Sequence, residues 1–406
     1  MARIGDIYLG GHTTEGEAFF SAVAFYLSSP AAINHLYVPE NSSWEVELKT
    51  GHEFIVARNR KRLTREQVLR EGFEFVQRCL DILAVTQREN LSTKAPGDTH
   101  ILLFDQDDRL VLQHVDTYEE RIKIHFTSMR RDPSGTPVAS LPTPNPTWNP
   151  AFRYYRLSQT SEDIFEAYRN LYLAFETLLD QIYPKNNSER EGDWLKQALK
   201  TVSAKVALDR FAPPGCSNAI DYLIGTLYEY ARNHLFHAKT GKMVLPHKVL
   251  NPEKIAAAYE RLVTLWNAIA SSYLSVQRER GIMTYGGFKH RMDLQFSKDF
   301  GLYLSEDSTP PSEKDTKVSP LNLPTYRFTE MQYFGQTMLG QVAILGAMDS
   351  DEVPDLPVIH RICLKVEDTL VTVSPIVDGL VTNGAERIES LQIVKLVNRN
   401  LPKTVF

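Results

Sequence analysis

One short stretch of the sequence gathers side chains that could cleave a phosphodiester bond. Arg232 and Asn233 are followed by His234 and His237, and from Arg232 to Lys248 there are four basic residues, three histidines and no carboxylate. Histidine, with a reference pKa of about 6.5, exchanges protons near neutral pH, whereas a guanidinium stays charged. Beside RNA, the imidazole would remove the 2′-hydroxyl proton, and the cation would stabilise the charge that develops on the phosphate.

The spacing of this Arg–His pair is a weak signal when it is taken alone. Residues five apart on an α-helix lie about 140° apart around the axis, so Arg232 and His237 meet only if the arginine swings across or the helix loosens. Arg109 and His114 have the same spacing in a predicted strand, where residues five apart point to opposite faces. A solvated helix end, with cations near the C-terminal end of the helix dipole, explains Arg232 and His237 equally well.

Other interpretations of the same stretch are weaker. His234 and His237 are three apart, but no carboxylate or cysteine lies close by and no HExxH sequence is present, so we expect no metal and no other cofactor. Lys239 and Lys242, together with His234, are candidates for binding a substrate backbone, although a run of charges usually forms a solvated face. The basic stretch from Asn59 to Arg65 also predicts a solvated loop rather than an RNA contact.

Length and composition are those of an ordinary globular chain. The 406 residues predict two or three domains, and the hydrophobic fraction of 43% and charged fraction of 23% are typical. The formal net charge of −5 excludes a chain-wide basic field, so any nucleic-acid site must be local. The three cysteines are far apart, which favours a reducing, cytoplasmic location. We expect no membrane association, because we find neither a signal-peptide pattern nor a long apolar run.

Two proline-rich stretches divide the chain, and the patterns around them predict a multidomain α+β protein. Alternating apolar residues predict β-rich segments before the first stretch, which begins at Asp132, and after Gly281. Within the first of these segments, Thr64 and Gln67 have the spacing of a helix capping box, and residues 100–115 read as a hairpin with its turn around Asp107. The predicted organisation is an α+β accessory domain over 1–131, a linker over 132–158, a helical bundle over 159–281, and a β-rich C-terminal domain over 282–406 with a flexible loop at 305–324.

The middle segment predicts four amphipathic helices. From Ile164 to Ile182 the apolar residues follow a 3.6-residue period on one face. The third helix ends in the Arg232–His237 stretch, and the fourth has Asn251 as its cap and Gly281 after its end. Short connections between such helices predict a central antiparallel four-helix bundle, flanked by β-rich N- and C-terminal domains.

Arg232, Asn233 and His237 resemble the signature of the HEPN superfamily (higher eukaryotes and prokaryotes nucleotide-binding). In that signature an arginine, often followed by a polar residue, precedes a histidine by four to six residues, as Arg232, Asn233 and His237 do here. The first helix of the segment is also similar to that of HEPN proteins related to the MauJ and ApeA groups. The resemblance covers about residues 159–281.

The resemblance implies a metal-independent endoribonuclease whose site forms where two HEPN bundles meet. Arg232, Asn233 and His237 would be its catalytic residues, and Asn233 would orient the site or contact the phosphate. One credible copy of the motif implies a homodimer, or a HEPN partner, that acts on single-stranded RNA or tRNA. Many members serve in antiviral defence or as toxins, which implies a defence-complex or antitoxin partner. Because other members keep the fold without cleaving RNA, the alternative is a non-catalytic scaffold that dimerises through the helical bundle.

Overall fold

A computed structural model of the chain describes residues 1–12, 18–87, 89–122, 130–131, 133–138, 147–236, 253–276, 283–312, 314–315, 325–352 and 358–397. These residues belong to two compact units. The first, here called the β unit, combines Met1–Ile122 with Met283–Val397. The second, the helical unit, lies within Lys123–Ile282.

The strands and helices of the described residues follow in chain order. The strands are β1 (Ala2–Ile4), β2 (Ile7–His12), β3 (Ala18–Phe19), β4 (Ser21–Tyr26), β5 (His35–Tyr37), β6 (Trp44–Leu48), β7 (Phe54–Asn59), β8 (His100–Gln106), β9 (Arg109–Glu120), β10 (Arg130–Arg131), β11 (Pro137–Val138), β12 (Phe300–Ser305), β13 (Thr325–Arg327), β14 (Glu330–Met338), β15 (Gln341–Asp349), β16 (Ile359–Val366), β17 (Thr369–Val381) and β18 (Arg387–Leu396). The α-helices are α1 (Arg65–Thr86), α2 (Pro150–Thr160), α3 (Ile164–Ile182), α4 (Glu191–Val202), α5 (Ala219–Leu223), α6 (Asn233–Phe236), α7 (Glu253–Leu274) and α8 (Tyr285–Gln295).

Two large sheets make up the β unit. One has seven strands in the order β13-β12-β16-β17-β1-β2-β3, and the other has nine in the order β14-β15-β18-β9-β8-β4-β7-β6-β5. Neighbouring strands run antiparallel except β9 and β18, which are parallel. Their pairing begins at Val111 with Arg387 and ends at Glu120 with Leu396. Since β1 also pairs with β17, each sheet contains strands from both ends of the chain.

The predicted fold class was therefore wrong. The protein is β-rich, with two large sheets, and it is not built on a central four-helix bundle between separate β-rich N- and C-terminal domains. Alternation in the sequence indicates that a strand exists, but it does not say which strand will be its partner. Here β9 and β18 satisfy each other's backbone donors and acceptors although about 270 residues separate them.

Side chains from both sheets share one hydrophobic core. It includes Ile7 and Ile362 from the seven-stranded sheet, Phe54 and Ile344 from the nine-stranded sheet, and Phe288 from α8. Helix α1 packs on the nine-stranded sheet, where the rings of Phe73 and Phe25 meet edge to face with centroids 5.8 Å apart. This sheet is therefore covered on one side by α1, and the strands that α1 contacts are held in place.

Two local predictions within the β unit are confirmed. Helix α1 begins at the capping box, in which the backbone N–H of Thr64 donates to Gln67 Oε1 at 3.0 Å and that of Gln67 donates to Thr64 Oγ1 at 3.5 Å. Strands β8 and β9 form the expected hairpin, and both residues of its turn, Asp107 and Asp108, have positive φ. Aspartate tolerates this left-handed conformation better than most residues do.

In the helical unit, α3 is the central element. The Asp163 side chain caps its first turn, accepting from the backbone N–H of Glu166 at 2.8 Å. Its buried face includes Tyr168, whose hydroxyl donates to the carbonyl of Leu227 at 2.7 Å. Helix α2 packs against α3 and occupies Pro150–Thr160, most of which had been assigned to the linker.

The predicted third helix is broken into three pieces. Asn218 caps α5 by accepting from the backbone N–H groups of Ile220 and Asp221, at 3.1 and 3.2 Å. A π-helical segment, Ile224–Arg232, follows, and the chain then returns to α-helical hydrogen bonding in α6. A π-helix is wider than an α-helix and occurs frequently at functional sites. The helix therefore loosens directly before the residues that carry the Arg–His motif.

Candidate functional site

The structure describes three of the six predicted site residues. Arg232 ends the π-helical segment, and Asn233 and His234 open α6. His237, Lys239 and Lys242 lie outside the described residues. The geometry of the site is therefore built from the arginine and from the residues that surround it.

The Arg232 guanidinium lies against two aromatic rings of its own helical stretch. Its Cζ atom is 5.5 Å from the ring centre of Tyr228 and 5.1 Å from that of Phe236. Its Nη1 group donates to Asn233 Oδ1 at 3.3 Å. Within the described part of the chain, the buried Nε group has no hydrogen-bond partner. The cation is thus held in a defined place by contacts within its own helical stretch.

His234 is turned back onto its own helix. Its Nδ1 atom is hydrogen-bonded to the carbonyl of Tyr230, and the two rings are tilted with centroids 5.1 Å apart. Because a carbonyl only accepts, the proton of this bond belongs to Nδ1, which leaves Nε2 as an acceptor when the ring is neutral. No contact among the described residues joins His234 to Arg232, so these two predicted residues are neighbours in sequence without acting as a pair.

A pair of carboxyl groups lies within electrostatic reach of Arg232. Glu176 of α3 is hydrogen-bonded to Glu191, the first residue of α4. Burial raises the pKa of Glu176 to about 7, and the hydrogen bond and charge of Glu191 act in the same direction. Arg232 and Lys185 oppose this shift, and Lys185 Nζ lies 3.0 Å from Glu191 Oε2. Glu176 is therefore a proton-exchanging group near neutral pH, close to a fixed cation.

Tyr172 adds a neutral hydroxyl to this neighbourhood. Its side chain is fully buried, and its hydroxyl has no hydrogen-bond partner among the described residues. Burial, followed by the charge of Glu176, raises the pKa of this phenol well above its usual value, and Arg232 partly offsets the shift. The phenol keeps its proton at physiological pH, and its ring meets that of Phe236 edge to face at 6.2 Å.

Arg169 fixes the end of α6. Its Nε and Nη2 groups donate to the carbonyl oxygen of Leu235 at 3.1 and 2.6 Å. Cationic side chains near a helix C-terminus can donate to its last carbonyls, and Arg169 does so twice at one oxygen. This contact holds the chain two residues before His237.

Sequence reasoning did not assign a role to the residues on α3 that surround Arg232. The available signal was their spacing, because Tyr172 and Glu176 are four apart and the glutamate lies at the edge of the apolar stripe. That spacing predicts proximity on one helix, but not the approach of Glu191 or Arg232 from other elements. The described residues contain no group of three His, Cys, Asp or Glu side chains able to hold a metal ion.

Compared with known proteins, the chain matches no family model, no curated protein and no solved structure. Among the described residues, no helix is both long and apolar enough to cross a membrane. The function must therefore be argued from the site itself.

Proposed function

We propose that this protein is a metal-independent endoribonuclease whose catalytic residues are Arg232, Asn233 and His237. The observation that carries the proposal is the position of Arg232. Its guanidinium is anchored on two rings, its Nε donor has no hydrogen-bond partner among the described residues, and its charge opposes the rise that burial causes in the pKa of Glu176. A fixed cation beside a group that titrates near neutrality is what a phosphate transfer without metal requires.

The proposed reaction is an internal transesterification. His237 removes the proton of the 2′-hydroxyl, the 2′-oxygen forms a bond to phosphorus, and the bond from phosphorus to the 5′-oxygen breaks. Arg232 stabilises the charge on the phosphoryl oxygens, and a proton is delivered to the leaving 5′-oxygen. Glu176, with a pKa of about 7, is the described group able to hold that proton. The products are a 2′,3′-cyclic phosphate and a 5′-hydroxyl end.

The proposal includes partners. The chain carries one credible copy of the motif, since Arg109 and His114 lie in a strand, so we propose a homodimer in which the third-helix faces of two chains meet around a two-fold axis. The substrate is single-stranded RNA or tRNA, and the biological setting is cytoplasmic antiviral defence or a toxin system with an antitoxin partner. Sedimentation at micromolar concentration tests the assembly, and a strictly monomeric protein that cleaves RNA would contradict it.

A non-catalytic scaffold is the second candidate, and a specific observation favours it. The contacts of Arg232 with Tyr228 and Phe236 lie within its own helical stretch and would stabilise that stretch without any substrate. Each such cation–π contact contributes about 0.5–1 kcal/mol at an exposed site. If the protein is a non-catalytic scaffold, Arg232→Ala would lower its thermal stability, and neither the variant nor the wild type would cleave RNA.

A cleavage assay on RNA separates the two candidates. We expect the wild-type protein to cleave, His237→Ala and Arg232→Ala to lose about 10²–10⁴ in rate, and Lys242→Ala to lose little. Cleavage should survive EDTA and leave 2′,3′-cyclic phosphate ends. Thermal melting of each variant shows whether its loss comes from unfolding. Cleavage that persists in His237→Ala, or that disappears on chelation, would overturn the mechanism.

A further inference from the structure

The outer face of α2 carries two aromatic rings and two cations whose side chains are uncommitted. Trp148 directly precedes the cap of this helix, and Arg153, Tyr154 and Arg156 follow within its first two turns. All four side chains are exposed, and Trp148 is 71% exposed. In the part of the chain that the structure describes, none of them forms a hydrogen bond, an ion pair or a ring contact. These four residues are here called the α2 patch.

The opposite face of α2 is anchored in the helical unit. Asn149, which caps the helix, donates through its side chain to Gln181 Oε1 on α3 at 2.7 Å. The half-buried ring of Tyr155 stacks on that of Trp266 from α7, with centroids 4.1 Å apart and planes at 19°. The α2 patch is therefore carried by an ordered backbone, and such groups lose less conformational entropy on binding than groups on a mobile loop.

The rings of the α2 patch are free to stack with a ligand. Tyr154 and Tyr155 are consecutive, so they lie about 100° apart around the helix. Tyr155 is stacked on Trp266, whereas neither the ring nor the hydroxyl of Tyr154 has a partner among the described residues. A side chain before the cap often packs against the one at the fourth helical position, but no cation–π contact joins Trp148 and Arg153 in the described structure. The indole, the phenol and the guanidinium therefore all remain available.

The positive charge of the α2 patch is not neutralised nearby in the chain. No carboxylate occurs between residues 147 and 161. The next acids are Glu162, which is exposed and forms no ion pair with a described residue, and Asp163, which caps α3. Arg153 and Arg156 are three apart, so their Cβ atoms are about 5–6 Å apart, and like charges at this spacing repel each other. An anion bound between them would relieve this repulsion.

The small apolar area of this face favours nucleic acid over a protein partner. Besides Trp148, its large apolar side chains are Tyr154 and Leu157, and each of these two is only 36% exposed. A stable protein interface buries roughly 800 Å² on each partner, around an apolar centre. The face of α2 offers no apolar centre of that size. A single strand of nucleic acid needs less, because its bases stack on individual rings while cations hold its phosphates.

We propose that the α2 patch binds single-stranded RNA. Unpaired bases stack on Trp148 and Tyr154, and Arg153 and Arg156 contact neighbouring phosphates. Such binding has little sequence preference, because every base has a π-face. A base-paired strand keeps its bases stacked inside the duplex and cannot use the rings. The choice of RNA rests on the proposed ribonuclease function, and single-stranded DNA shares the chemistry, so both are arms of the test.

Tryptophan emission of the full-length protein reports this contact directly. Trp44, Trp194 and Trp266 are only 2–3% exposed, so Trp148 is the one tryptophan of the four that a ligand can reach. The probes are a short 2′-O-methyl RNA, a DNA of the same sequence and the corresponding duplex. The modified RNA lacks the 2′-hydroxyl that the proposed cleavage needs, so it stays intact. We expect both single strands to quench the emission with a Kd of about 10⁻⁶–10⁻⁴ M at physiological salt, and the duplex to quench it far less.

Variants separate the contribution of the cations from that of the rings, with binding measured by fluorescence anisotropy of labelled strands. Arg153→Ala with Arg156→Ala should weaken binding about tenfold or more and reduce the slope of log K against log salt by about 1.4. Trp148→Leu should weaken binding about fivefold or more and leave that slope unchanged, because stacking releases no counterions. The matched control is Lys200→Ala with Arg210→Ala, which removes the same charge from exposed positions of the helical unit outside α2. Thermal melting verifies that each variant is folded.

Three results would overturn the inference. They are the absence of quenching by single strands, equal affinity in the Arg153/Arg156 variant and the wild type, or an equal loss in the control variant. A change in the sedimentation of the RNA-free protein caused by Trp148→Leu would also contradict it, because the face would then be a protein interface. If single strands bind the α2 patch and unmodified RNA is never cleaved, the inference stands and the ribonuclease proposal fails. If RNA is cleaved and variants of the patch bind as the wild type does, the reverse holds.

Discussion

Glu176 and Glu191 share a hydrogen bond between their carboxyl groups, although they belong to different helices. Two carboxylates cannot form such a bond when both are ionised, so one of them holds a proton. Burial raises the pKa of Glu176 to about 7, so Glu176 holds the proton of this bond. The helical unit therefore contains a carboxylic acid that remains neutral up to a pH of about 7.

This acid makes the stability of the helical unit pH-dependent. The folded pKa of Glu176, about 7, lies above its ordinary value of 4.5, so the folded state binds the proton more tightly. Its contribution to the free energy of unfolding is complete below about pH 4.5 and is lost as the pH rises to about 7. Glu176→Gln should abolish this loss, melting at a higher temperature than the wild type at pH 8 and at a similar one at pH 4. Thermal melting across this range is the measurement, with the exposed Glu162→Gln as control. An unchanged pH slope in Glu176→Gln would contradict the assignment.

Arg169 should stabilise the end of α6 locally and contribute little to the global stability of the helical unit. The variant Arg169→Ala loses both hydrogen bonds to the Leu235 carbonyl. Backbone amide exchange in α6 should therefore be faster in this variant than in the wild type. The cost in global stability should be only about 1 kcal/mol, because the side chain is exposed. Hydrogen–deuterium exchange measures the local effect. Arg153→Ala, which removes an exposed arginine from α2, should leave α6 unchanged, and equal exchange in both variants would argue against this role.

The buried ion pair between Arg361 and Asp307 should be essential to the β unit. Arg361 Nη1 lies 2.7 Å from Asp307 Oδ2, and the two side chains are only 4% and 1% exposed. Asp307→Ala would leave a buried guanidinium without its counter-ion, at an expected cost of about 3–5 kcal/mol. Urea unfolding measures this loss. The exposed pair of Lys298 and Glu367, 2.9 Å apart, is the control, and Lys298→Ala should cost less than about 1 kcal/mol. Similar losses in both variants would contradict the prediction.

Gly72 should be required for α1 to approach the sheet. A Cβ atom at this position would lie 2.3 Å from Val23 Cγ1, so a side chain would force α1 outward. Gly72→Ala is expected to destabilise the β unit by about 1–3 kcal/mol, as overpacking does. Gly286, in α8, has nothing within 4 Å of the corresponding point, and Gly286→Ala should be neutral or stabilising by up to about 1 kcal/mol. Urea unfolding that ranks the two changes in the opposite order would refute this packing argument.

The ion pair between Asp307 and Arg361 also shows that amino-acid composition does not always predict whether a segment is ordered. Residues 305–324 are rich in proline and polar residues, which predicted a flexible loop. Asp307 nevertheless lies buried against Arg361, and Thr309 accepts a hydrogen bond from the same guanidinium through its hydroxyl at 2.6 Å. Arg361 is more than 50 residues away from these two residues in sequence, so no local sequence pattern predicts the contact.

The sequence by itself determined the features that depend on neighbouring residues. The capping box at Thr64, the hairpin turn at Asp107 and the apolar face of α3 each follow from interactions within a few residues. The grouping of Arg232, Asn233 and His234 at a helix end is equally local. Such features can be predicted because backbone geometry and side-chain spacing alone define them.

Only the tertiary structure decided which distant segments meet. The pairing of β9 with β18 placed both ends of the chain in one sheet, and packing of α3 and α4 brought Glu176 and Glu191 together near Arg232. The same holds for the stacked rings of Trp44 and Phe75, which come from a strand and a helix. These contacts are selected by the burial of apolar surface and the pairing of backbone groups over the whole chain. The spacing of neighbouring residues in the sequence therefore does not predict these long-range contacts.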